Sequence, residues 1–107
     1  MPTVFVYLSE ATYRGPSEFP WHSPDEGARH KVMLFLSQDH ASASEAAATS
    51  ELARFGFSEV SLKQGKPITV EALNAPNMQA FHKHYEEALS AGSSVVWYPN
   101  VLPHPAA

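Results

Sequence analysis

Five consecutive apolar residues, Val32 to Leu36, inside the stretch Lys31 to Ser37, constrain this chain more than anything else in it. A strand apolar on both sides needs both sides covered. Val32, Leu34 and Leu36 form an aliphatic face, and Met33 and Phe35 point the other way. The stretch Thr3 to Ser9 divides similarly, with Val4, Val6 and Leu8 alternating against Phe5 and Tyr7. The expectation is therefore a sheet with an aliphatic face under helices and an aromatic reverse face carrying Phe5, Tyr7, Met33, Phe35 and Trp97.

Helix signals follow the central strand. Ser42-Ala43-Ser44-Glu45 has capping-box spacing and opens a helix reaching about Phe55, with Ala48, Leu52 and Phe55 on one stripe and Gly56 ending it. Glu59 to Lys63 alternates as a half-exposed strand. Gln64-Gly65-Lys66 reads as a turn, and Pro67 to Val70 as a short returning strand. Asn74 to Asn77, with Pro76, opens a second helix that Gly92 closes. Its apolar stripe is Met78, Phe81, Tyr85, Ala88 and Leu89, and His82, Lys83 and Glu86 are placed toward water. Ser94 to Tyr98 is the last strand.

From His30 onward this order resembles the split β-α-β plan of ferredoxin-like domains. The resemblance implies an α+β fold with an antiparallel sheet, two helices on one face and an extra N-terminal strand. Residues 1–100 are expected as one domain with a long loop at 10–29, and residues 101–107 as a frayed tail. At 107 residues such a domain buries roughly 65% of its unfolded surface and needs no staples. The chain has no cysteine, which excludes disulfides and thiolate metal sites.

The loop holds Tyr13, Phe19 and Trp21 among prolines and glycines, and Ser23-Pro24-Asp25-Glu26 could start one helical turn. It reads either as a cover for a sheet face or as a mobile lid that meets a partner. Three coverings for the aromatic face stand open: this loop, a second copy of the chain, or a protein partner or small hydrophobic ligand. An exposed aromatic sheet resembles the platform on which RNA-binding domains stack bases. The formal net charge of -4 opposes a phosphate backbone, so no nucleic acid is expected.

Six histidines raise metal and proton-transfer chemistry. His82 and His84, two apart on a helix, diverge, so no metal is expected. His22 beside Asp25 and Glu26, and His40 beside Asp39, are the weak catalytic candidates, since a neighbouring carboxylate orients an imidazole. The opening Met1-Pro2 on a strand resembles tautomerase-like enzymes, whose N-terminal proline amine reacts, although a proline-rich loop stands here in place of their helix. No cofactor fingerprint occurs.

Composition and the absence of a signal-like start or a bilayer-length apolar run lead us to expect a cytoplasmic protein without a membrane segment. Two functions remain in view. One is a small acidic binding protein, with an inhibitor or immunity-type role suited to its size and charge. The other is a dimeric α+β-barrel enzyme enclosing a small hydrophobic substrate, with His40, His22 or Trp97 acting on it.

Overall fold

Four apolar or alternating runs become four strands, and the glycines after each long helix become its stop. The computed structural model describes residues 3–18, 21, 23–39 and 43–103, apart from the side chains of residues 70 and 77. Among these, the fold is α+β. The strands are β1 (Thr3–Tyr13), β2 (Arg29–Gln38), β3 (Phe57–Pro67) and β4 (Ser93–Trp97). Helix α1 (Glu45–Arg54) precedes β3, whereas α2 (Val70–Leu73), a 3-10 segment Pro76–Phe81 and α3 (His82–Ala91) precede β4. The sheet is antiparallel throughout, in the order β3-β1-β2-β4.

β1 therefore lies between β2 and β3 and is not an addition at the side. The β2-α1-β3 crossover is split by it, and the strand order departs from the expected ferredoxin-like arrangement.

Register decides which side chains share a face. β1 and β2 pair Phe5 with Leu36 and Tyr7 with Leu34, while Val6 meets Phe35 and Leu8 meets Met33. Directly opposed residues in an antiparallel pair lie on the same face, so the aromatics of β1 join the aliphatics of β2. Trp97 opposes Val32 and falls on that face too. This corrects the expected aromatic platform: Phe5, Tyr7 and Trp97 share one face with Leu34, and Met33 and Phe35 lie on the other. Each strand alternates as expected; only the pairing of their faces is reversed.

Both faces are packed by helix, which corrects the one-sided arrangement. On the first, Ala48 and Leu52 of α1 and then Phe55 bury against Phe5, Tyr7, Leu34 and Leu36. Ser44 caps α1 by accepting a hydrogen bond from Ala47 N–H at 3.2 Å, two residues later than the expected start at Ser42, which lies outside the described residues. Gly56, at φ +100°, ends it as expected. A Cβ there would sit 2.7 Å from a Tyr13 ring carbon. On the second face, Ala88 of α3, with Phe81 and Tyr85, covers Val4, Val6 and Phe35. Burying a side chain such as Leu34 or Phe35 contributes about 1.5–3 kcal/mol.

β3 runs unbroken through Gln64-Gly65-Lys66, where a turn is expected, and among the described residues no returning strand follows. Gly65 lies opposite Tyr7, and a Cβ at Gly65 would approach the Tyr7 ring to 2.6 Å. Glycine is here because a ring crosses the backbone, not because the chain reverses. Asp25 to Gly27 form a turn and not the expected helical start, with Ala28 N–H donating to Asp25 C=O.

Candidate functional site

Pro76 interrupts what would otherwise be one long helix, and that break shapes the candidate site. α2 is a single short helix whose Ala72 N–H bonds to Thr69 Oγ1 at 3.2 Å. The His82 ring nitrogen Nε2 lies 2.8 Å from Leu73 C=O, fastening the start of α3 to the end of α2. His82 is thus half-buried, not turned to water as its position off the apolar stripe suggested. α3 covers the β2 and β4 half of the second face, and the segment from Ile68 to Met78 stands along its β1 and β3 side. Between them Leu8 and Met33 stay half-buried.

The result is a groove of about 480 Å³ floored by Val6, Leu8 and Met33 and walled by Ile68, Ala72 and Met78. Its lining is chiefly apolar, with Gln64, Lys66 and Thr69 as the polar members. Lys66 opposes Val6 in the β1–β3 ladder, which sets its stem beside the floor and its ammonium at the rim. Among the described residues, no carboxylate lines this groove.

A second, more open cleft of about 570 Å³ runs along β4. Trp21, Phe55 and Trp97 line it, as do Lys83, His84 and Glu87 of α3. His84 stacks on Phe35 with ring centroids 5.9 Å apart, and its Nδ1 is 2.8 Å from Ser94 Oγ. Burial, and then the positive charge of Lys83, holds the His84 pKa below the ordinary imidazole value.

The other residues expected from sequence scatter. Phe5, Tyr7 and Phe35 are fully packed, and Tyr7 Oη donates to Gln38 Oε1 at 2.7 Å while accepting from Ser44 N–H at 2.9 Å. Tyr13 and Trp21 join Phe55 and Phe57 in edge-to-face contacts over the end of the first face, with Trp21 and Phe55 centroids 5.2 Å apart. The Trp21 indole N–H is buried with no acceptor among the described residues. Pro2, Phe19, His22 and His40 lie outside the described residues, as do positions 104–107 of the tail. Among the described residues of the expected binding set, only Met33 reaches the apolar groove.

Sequence reasoning missed Lys66 because Gln64-Gly65-Lys66 reads as a turn, and it placed Met78 in the apolar stripe of the second helix without assigning it to a site. Leu8 and Met33 gave a signal, as apolar residues in the middle of β1 and β2. It also missed Arg29, which is 3% exposed and donates through Nη1 to Glu59 C=O at 2.7 Å and to Thr12 Oγ1 at 3.2 Å. Its Nη2 reaches Glu10 C=O at 3.2 Å. Glu59 sits in a β3 bulge at φ 52°, and its carboxylate accepts from Thr12 Oγ1 and pairs with Arg14.

Among the described residues, no helix is long and apolar enough to cross a membrane, and no group of three metal-ligating side chains comes together. No protein-family model matches the chain, and neither a curated protein nor a solved structure matches it.

Proposed function

We propose that this chain is a small acidic binding protein that takes an apolar molecule with an anionic end into the groove beside Met33. The observation that supports this is the lining: seven apolar side chains surround about 480 Å³, and Lys66 is the charged one among their described neighbours. Pockets for small molecules are usually roughly 300–1,000 Å³, mostly apolar, with a few polar groups that set orientation. Met33 and Met78 are flexible and polarisable, which suits a ligand of variable shape. The Lys66 ammonium supplies a charge-assisted hydrogen bond to a carboxylate at the rim.

The barrel-enzyme alternative needs an uncovered sheet face to meet that of a second chain, whereas α1 and α3 each occupy one. The inhibitor or immunity-type role draws on size and the net charge of -4, which select no surface.

Calorimetric titration with decanoate and with its uncharged methyl ester tests the reading. Lys66→Ala is expected to weaken decanoate binding about tenfold, near 1.4 kcal/mol, and to leave the ester unchanged. Met33→Trp, which fills the groove, is expected to abolish both. Failure of the intact protein to bind either compound, or binding that survives Met33→Trp, contradicts the proposal.

A further inference from the structure

The two edges of the sheet are defended differently. β3 carries Lys63, Lys66 and Pro67 and bends at the Glu59 bulge, all features that discourage a foreign strand from pairing. β4 reads Ser93-Ser94-Val95-Val96-Trp97, without a charge, a proline or a bulge.

Backbone polarity shows what that edge offers. Tyr98 N–H donates to Lys31 C=O and Ser37 N–H to Gly92 C=O, so the hydrogen-bonded pairs in the β2–β4 ladder include Phe35 with Ser94 and Met33 with Val96. Ser93 and Val95 alternate with these, and their N–H and C=O groups point away from the sheet. Among the described residues, no backbone partner meets them there. The cleft along β4 borders this row, with Trp21 and Phe55 on one side and Lys83 and Glu87 on the other.

We propose that β4 pairs antiparallel with β4 of a second copy about a two-fold axis at Val95, joining two four-stranded sheets into one. Charge is the reason to choose a second copy over a foreign strand. Lys83 and Glu87 lie one helical turn apart on α3 beside β4. A two-fold axis through the middle of β4 reverses that helix, bringing Lys83 of each copy toward Glu87 of the other. The surface is complementary to itself. Five paired residues bury less than the roughly 1,200 Å² of a stable interface, and closure of the two flanking clefts supplies the remainder.

Sedimentation equilibrium from micromolar to millimolar protein at low salt tests this, together with amide hydrogen exchange at Val95. The mass is expected to rise from 11.7 kDa to twice that value, with Val95 exchange slowing in step. Lys83→Glu should weaken association at least about tenfold by setting like charges together, and Lys83→Glu with Glu87→Lys should restore it. Both positions are exposed on α3, so the fold should tolerate either change. A mass of 11.7 kDa at every concentration overturns the proposal, as does a dimer indifferent to Lys83→Glu whose Val95 amide exchanges freely. A monomer that binds only foreign extended peptides at Val95 also overturns it.

Discussion

Replacing Arg29 with alanine is expected to lower the unfolding free energy by about 3 kcal/mol or more, because one buried guanidinium satisfies three acceptors on two strands. Glu10 C=O, Glu59 C=O and Thr12 Oγ1 would each lose a donor in a place where little water enters. The Glu59 bulge would lose its brace as well. Arg29→Lys should recover only part of the loss, since a single ammonium cannot present a planar fork to three separated oxygens. Domains of this kind are stable by about 5–15 kcal/mol, so the change should be plain in a urea titration. A loss below about 1 kcal/mol would mean that the Arg29 bonds are replaced readily by solvent.

Gly65→Val is expected to destabilise by about 3 kcal/mol, opposite in sign to what strand propensity alone suggests. Valine favours strands and glycine weakens them, so a reading from composition makes this a gain. The Cβ would stand 2.6 Å from the Tyr7 ring and 3.2 Å from the Ala43 Cβ. The ring can yield only by leaving the core and breaking its bonds to Gln38 and Ser44, which tie β1 to the end of β2 and to the cap of α1. Gly65→Val paired with Tyr7→Ala should cost less than the two changes summed, because the second removes the obstacle to the first. An increase in stability from Gly65→Val alone would show that the ring does not lie across that strand.

These two residues also show where reading the sequence stopped. Alternation located the strands, and Gly56 and Gly92 marked the ends of α1 and α3, because those are local properties of the chain. Whether Phe5 shares a face with Leu36 or with Phe35 is a matter of register, and register depends on contacts more than thirty residues apart. Matching aromatic to aromatic was chemically natural and placed an open platform where there is packed core. Gly65 misled for a related reason: a glycine admitting a ring looks, in one dimension, like a glycine making a turn. The groove inherited both errors. Its floor needed the correct face for Met33, and its rim needed Lys66 in a strand.

Which side chains lie under which helix is measured directly by methyl-to-aromatic nuclear Overhauser contacts. Phe5 and Tyr7 ring protons should contact the methyls of Leu34, Leu36 and α1, while the Phe35 ring should contact Ala88 and Phe81 and nothing on α1. Contacts joining the Phe5 or Tyr7 ring to Ala88, or Phe35 to Leu52, would place the aromatics together after all and contradict the two-sided core from which the groove follows.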